Sequence, residues 1–151
     1  MNVDQIMTRD VVTVSMDDSL EWIQRVFSEY RFHHVVVTEN GQVVGVISDR
    51  DVLKNLSPFV GKITERSQDS ASLQRRAHQI MTRTLVYSDE ETPVREAMQT
   101  MLRERVSCLP VVDGRRRCMG IVTWRDLLAN AADMLGCDVS LAESKVEGEA
   151  A

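Results

Sequence analysis

Gly120-Ile121-Val122-Thr123-Trp124-Arg125-Asp126 repeats, position for position, the pattern of Gly45-Val46-Ile47-Ser48-Asp49-Arg50-Asp51. Both read glycine, two apolar residues, a hydroxyl, any residue, arginine, aspartate. Upstream, Gln5-Ile6-Met7-Thr8-Arg9 returns as Gln79-Ile80-Met81-Thr82-Arg83. Met7 to Met81 is an offset of 74 residues and Gly45 to Gly120 one of 75, so the chain holds two copies of one unit. A unit of roughly 55 residues has a marginal core alone, and a second copy beside it can cover the apolar face it leaves.

Within the first copy, Val11-Val12-Thr13-Val14 is β-branched and predicts a short strand. Asp17-Asp18-Ser19 opens a helix whose apolar face carries Leu20, Ile23, Val26, Phe27 and Tyr30 at helical spacing. Val35-Val36-Val37 and Gln42 to Ile47 are two strands joined through Asn40-Gly41, a strong hairpin signal, and Ser48 starts a second helix with Val52, Leu53 and Leu56. The second copy predicts the same order: a strand at Leu85 to Tyr87, a helix from Thr92-Pro93, strands at Leu109 to Val112 and Cys118 to Val122, and a helix from Thr123 to about Leu135, stopped at Gly136. Each unit is a three-stranded sheet with two helices on one face, an α+β arrangement. The expected division is 1–56 for copy one, 57–76 as a connecting loop, 77–136 for copy two, and 137–151 as an acidic, disordered tail.

At 151 residues and 43% hydrophobic content the chain suits one compact domain. A net charge of −5 argues against a general nucleic-acid binder, and Arg115-Arg116-Arg117 is expected at a solvated hairpin tip. No apolar stretch is long enough to span a bilayer and no leader is visible, so a soluble, cytoplasmic protein without membrane contact is expected. Cys108, Cys118 and Cys137 lack the spacing of a zinc site or disulfide framework, and no metal site is expected.

Ile-Met-Thr-Arg, an amphipathic helix, Leu109-Pro110-Val111-Val112-Asp113 and the Gly-x-x-Thr/Ser-x-x-Asp ending, in that order twice, resemble a pair of CBS motifs, a Bateman module. The resemblance covers about residues 3 to 135 and implies two tandem motifs packed through their sheets with pseudo-two-fold symmetry. It also implies an adenosine-containing ligand (AMP, ADP, ATP or S-adenosylmethionine) in clefts between the copies. Ser48 and Asp51, and Thr123 and Asp126, would hold ribose and phosphate. Adenine would lie against Val12, Val14, Val46 and Ile47 in one cleft and against Leu85, Val86, Ile121 and Val122 in the other. His33 and His34 stand where relatives of the nucleotide-sensing subunit of AMP-activated protein kinase have phosphate-contacting bases. The matching pair in copy two, Ser107-Cys108, is not basic. A homodimer through helix positions such as Leu53, Leu56, Leu128, Ala131 and Leu135, with an unknown regulated protein reading the ligand state, is the expected assembly.

Spacing alone supports a plainer role for the same residues. Ser48 and Thr123 followed three positions later by aspartate are the pattern of a capping box at a helix start. A helix N-terminus also attracts anions, so one geometry can serve both roles. Arg50 and Arg125 at those helix starts are candidate phosphate contacts or surface ion-pair partners. Contact between the histidines and phosphate would strengthen as imidazoles protonate below about pH 6.5. Trp124, in the place of Asp49, would either stack on a purine or block its cleft. No nucleophile–base set, dinucleotide glycine motif or phosphate-loop lysine is present, and the chain is expected not to be an enzyme. The expectation is a regulatory sensor module, the rival being a ligand-free dimerisation or interaction module.

Overall fold

The computed structural model describes residues 1–64, 66–83 and 86–137. Copy one contains β1 (Thr13–Ser15), α1 (Leu20–Glu29), β2 (His34–Glu39), β3 (Gln42–Ser48) and α2 (Asp49–Asn55). Ser19 caps α1 by accepting from the Trp22 N–H at 3.2 Å. Asn40 and Gly41 turn the β2–β3 hairpin at φ of 51° and 78°, the positive values that the Asn-Gly pair tolerates.

Residues 57–76, expected as a loop, instead contain α3 (Ser67–Ala71) and a 3-10 turn at Ser72–Gln74. Apolar content did not signal this because polar caps build it. Asp69 accepts from the Ser57 hydroxyl at 2.6 Å and from the Arg66 N–H at 2.8 Å. These bonds hold the Asp69 carboxyl below the ordinary carboxylate range, the Ser57 contact first among them. Copy two follows with α4 (Ala77–Ile80), β4 (Thr82–Arg83), α5 (Val94–Glu104), β5 (Cys108–Val112), β6 (Cys118–Thr123) and α6 (Trp124–Met134). Of its expected first strand, Leu85 lies outside the described residues, and Ser88 forms one parallel bridge to Val111. The acidic tail from 138 onward also lies outside them.

The sheet of copy one is four-stranded rather than three-stranded, in the order β1-β2-β3-β4, and its fourth strand comes from copy two. β4 pairs antiparallel with β3 at Gly45↔Arg83 and Val46↔Thr82. The reverse exchange occurs at β6. The Thr8 N–H donates to the Ile121 carbonyl at 2.9 Å, and the Ile121 N–H returns to the Thr8 carbonyl at 2.9 Å. Each copy therefore lends its leading segment to the other. Gly45 and Gly120 permit this approach: a Cβ on Gly120 would sit 2.7 Å from Met7 Sδ and 2.8 Å from the Thr8 carbonyl oxygen, and one on Gly45 2.7 Å from Met81 Sδ and 2.9 Å from the Thr82 carbonyl oxygen.

The cores follow the same exchange. Ala77 and Ile80 of α4 join Val14, Leu20, Ile23, Val26, Val35, Val37, Ile47 and Val52 of copy one. Val3 and Met7 join Val94, Ala97, Met101, Leu109, Val111, Val122 and Leu127 of copy two. Because strand side chains alternate, Val36 and Val46 face the other way, and the register shift in the β2–β3 ladder between Val37 and Thr38 brings Val43 to the same side; these meet Cys108, Val112 and Ile121 in a third cluster between the sheets. The two units are thus packed through their sheets. The arginine run helps to join them and is not simply a solvated tip: the Val43 N–H donates to the Arg116 carbonyl at 3.0 Å and Gln42 Nε2 to the Arg115 carbonyl at 2.9 Å. Asp113 organises that turn, accepting from Arg117 Nε at 2.7 Å, and its carboxyl is held low by the Arg117 and Arg115 N–H groups and by that guanidinium, against a smaller opposing effect of burial.

Candidate functional site

Where β3 runs into α2, Ser48 takes an extended conformation and caps the helix. Its Oγ accepts from the Asp51 N–H at 3.2 Å, while Asp51 Oδ2 accepts from the Ser48 N–H at 2.8 Å and from the Ser48 hydroxyl at 2.9 Å. The β6–α6 junction repeats this with Thr123 and Asp126, at 3.4 Å for the Asp126 N–H to Thr123 Oγ1, and 2.7 Å for each of the two bonds to Asp126 Oδ2. Both anchors are capping boxes, and in both the second carboxylate oxygen stands outside the cap.

Between the copies lies a cavity of about 600 Å³, within the range of small-molecule sites. Its wall carries Ser48, Asp49 and Arg50 from one anchor and Thr123, Trp124, Arg125 and Asp126 from the other. Arg31, Phe32, His33 and His34 enter from the α1–β2 connection, and Thr8, Asp10, Val11 and Val12 from the stretch that leads into β1. Ser107 and Ile121 complete it. His33 Nδ1 lies 2.8 Å from Asp49 Oδ2, and His34 Nε2 lies 3.0 Å from Ser107 Oγ, a contact between the copies. Burial pushes the His34 imidazole below its ordinary 6.5, and the His33 charge adds to this, against Asp49 and Asp51, which favour the protonated form. At Asp49 burial is the largest single effect and raises the carboxyl, but the His33 bond and charge, the Arg50 N–H and the His34 charge together hold it low. The Trp124 indole is 52% exposed, with the Arg125 guanidinium 5.9 Å from its ring centre.

Residues 3–58 and 77–133 each match the CBS domain. The chain belongs to the CBS domain family. It is 32% identical over 126 residues to the inosine-5'-monophosphate dehydrogenase of Methanocaldococcus jannaschii, covering 83% of this chain and 22% of that enzyme. A CBS domain-containing protein of Dictyostelium discoideum is 32% identical over 128 residues, covering 83% of this chain and 88% of the relative. In structure, the CBS domain pair of protein MJ0100, solved in complex with 5'-methylthioadenosine and S-adenosyl-L-methionine, superposes with a TM-score of 0.73 at 24% identity, covering 89% of this chain and 98% of that one. The fold is therefore a tandem pair of CBS motifs, α+β in class.

This CBS pair brings together Ser48, Thr123, Asp126, His33, His34, Arg50, Arg125, Val12 and Ile121 on one cavity wall. It does not bring in all the expected residues. Asp51 stays behind Ser48 as its capping partner. Val14, Ile47 and Val122 point into the cores, because adjacent strand residues face opposite sides and only one of each pair can reach the cleft. Val46 belongs to the inter-sheet cluster and Val86 packs against the copy-two core, while Leu85 lies outside the described residues. Val12 stays with copy one, where its carbonyl accepts from the Val36 N–H at 3.4 Å and its side chain packs against the copy-one core, while lining the cavity. Thr8, Asp10, Val11, Arg31, Phe32, Asp49 and Ser107 were missed as wall residues; the repeated Met-Thr-Arg marked the segment but not its destination. Among the described residues no group of three or more His, Cys, Asp or Glu is placed to hold a metal ion, and no helix is long and apolar enough to cross a membrane.

Proposed function

We propose that this CBS pair is a regulatory module that binds an adenosine-containing ligand in the cavity between its copies and passes the change in their packing to a partner protein. The observation that carries this is the wall itself: hydroxyl and carboxylate acceptors at Thr123, Asp126 and Ser48 suit a ribose, and Arg31, His33, His34, Arg50 and Arg125 suit phosphate, all on one cavity of about 600 Å³. The MJ0100 pair holds adenosine compounds; at its level of identity it carries the fold, and the cavity chemistry of this chain carries the ligand. The bases on the wall favour AMP, ADP or ATP over S-adenosylmethionine, whose sulfonium is cationic.

Ligand that prefers one packing of the two copies shifts the population toward it. A homodimer through the exposed Leu53, Leu128 and Leu135 of α2, α6 and its end, a cytoplasmic setting and the absence of catalysis by these residues belong to the same proposal. The engagement of both anchors as helix caps favours the second reading, an interaction module whose cleft takes no ligand. Thermal unfolding with each of the four ligands, after any co-purified ligand is stripped, separates the two. Ligand at 100 times its Kd adds about 2.7 kcal/mol and should raise the midpoint by roughly 5 °C. An unchanged midpoint with all four supports the interaction module.

A further inference from the structure

We infer that copy two carries a binding site of its own, away from the cleft between the copies, for a small molecule that bears a protonated amine. The site is the cavity of about 460 Å³ among α5, the chain at Ser88 and the β5–β6 turn, a volume within the range of small-molecule sites. It shares no wall residue with the first cavity, so the inference does not depend on the adenosine reading.

The cavity exists because copy two departs from copy one at three neighbouring core positions. Val14, Ile23 and Val26 close the copy-one core. Their counterparts, 74 residues on, are Ser88, Ala97 and Thr100, all on the cavity wall. Ser88 keeps the register of Val14, pairing with Val111 as Val14 pairs with Val37. Its side chain therefore takes the side of the sheet that faces α5, where Ala97 and Thr100 stand. Ser88 is 93% buried, and its hydroxyl has no partner among the described residues. Folded proteins rarely leave a buried hydroxyl unpaired, and an empty void left by lost bulk is ordinarily apolar. A polar ligand group in this cavity supplies the missing partner.

Charge on the wall gives the class of ligand. Glu96 stands at the third position of α5, where Asp51 and Asp126 close capping boxes in α2 and α6. The residue before α5 is Pro93, which has no N–H to offer, and no side-chain cap forms there. The Glu96 carboxylate is thereby left on the cavity wall with no protein partner among the described residues. Asp89 accepts from the Thr92 hydroxyl through Oδ1 at 2.9 Å, and its Oδ2 has no donor among the described residues. Asp113 is already engaged by Arg117 and the turn. Arg116, the one base on this wall, holds its guanidinium 5.3 Å from the Tyr87 ring centre. Two uncommitted carboxylates against one arginine draw a cation. They are not grouped to hold a metal ion, and an ammonium meets them as a donor of charge-assisted hydrogen bonds. Ala97, Leu109 and Val112 give its carbon skeleton an apolar surface. A free amine and an amino acid share this chemistry; the amino acid adds a carboxylate for Arg116.

The full chain is screened by thermal unfolding and calorimetry against the common amino acids and the diamines putrescine and cadaverine, each beside its N-acetylated counterpart. The expected result is that at least one amine binds and raises the midpoint, and that its acetylated form does not. Glu96→Gln should weaken that amine roughly tenfold or more. Ala97→Ile, which restores the copy-one residue and fills the cavity, should abolish binding. Glu91→Gln, which removes an exposed carboxylate that is not on the wall, should stay within about twofold. Arg116→Gln sorts the two sources: lost affinity marks an amino acid, and retained or tighter binding marks a free amine. Circular dichroism verifies each fold, and Glu96 is exposed, so its variant tests the site even if Ala97→Ile disturbs the core. Absence of binding by every amine, equal binding of the acetylated forms, or binding that Glu96→Gln leaves unchanged overturns the inference.

Discussion

Val14 and Ser88 occupy the same place in the two halves of the molecule. Each pairs in parallel with the strand that follows its helix, at Val14↔Val37 and Ser88↔Val111. Val14 is 3% exposed and belongs to a closed apolar core. Ser88 is 7% exposed, and its hydroxyl has no hydrogen-bond partner among the described residues. Around it, copy two has Glu96, Ala97 and Thr100 where copy one has Trp22, Ile23 and Val26. The lost volume is not refilled: Ser88, Glu96, Ala97 and Thr100 line a second cavity, of about 460 Å³. The comparison teaches that the repeat preserves the backbone register more strictly than the core, since strand pairing tolerates any side chain while packing does not.

Exchanging the two residues tests that difference most severely. Val14→Ser removes buried methyl groups and leaves a hydroxyl among apolar neighbours, and should cost about 2–4 kcal/mol in urea unfolding. Ser88→Val should do the opposite and stabilise by about 1 kcal/mol, because a buried hydroxyl gives way to a larger apolar side chain whose extra methyl the adjoining cavity can take. Equal costs for both would show that Ser88 has a partner the cores do not reveal.

The exchanged segments predict the reverse, a likeness between the halves. Gly45→Ala and Gly120→Ala should each destabilise by about 1–3 kcal/mol, since a methionine sulfur can move but the carbonyls of Thr82 and Thr8 are backbone. A marked inequality between the two would mean that one ladder is dispensable. A smaller effect comes from His34, which has no imidazole counterpart in copy two. Its pKa is lowered by burial, so the unfolded chain takes up the proton first as the pH falls below 6.5. Stability should therefore decline as pH falls through that range, and His34→Gln should flatten this part of the profile of unfolding midpoint against pH.

Much of the fold was legible because its signals are local. The Asn40-Gly41 turn and the cap pairs Ser48/Asp51 and Thr123/Asp126 are each contained within a few residues and formed as read; the helix faces formed in part, with Leu20, Ile23, Val26 and Val52 buried, whereas Tyr30 lies past the end of α1 and Leu53 is exposed. The site was legible in part. Ser48, Thr123 and Asp126, named from the repeat, and His33 and His34, named from the family resemblance, meet on one wall, whereas Val14, Ile47 and Val122 turn into the cores. Composition cannot choose between the two faces of a strand that is buried on both, because the same apolar residues serve either.

The sequence by itself determined that there are two units, where their helices begin, and which hydroxyl and carboxylate stand at each helix start. Those are consequences of spacing and backbone hydrogen bonding over short separations. Only the tertiary structure decided that Met7-Thr8 belongs with Gly120-Ile121 and Met81-Thr82 with Gly45-Val46, and that Asp126 lines the cavity between the copies while Asp51 does not. Each leading segment is compatible with either sheet edge, and the choice falls to the packing of both copies at once.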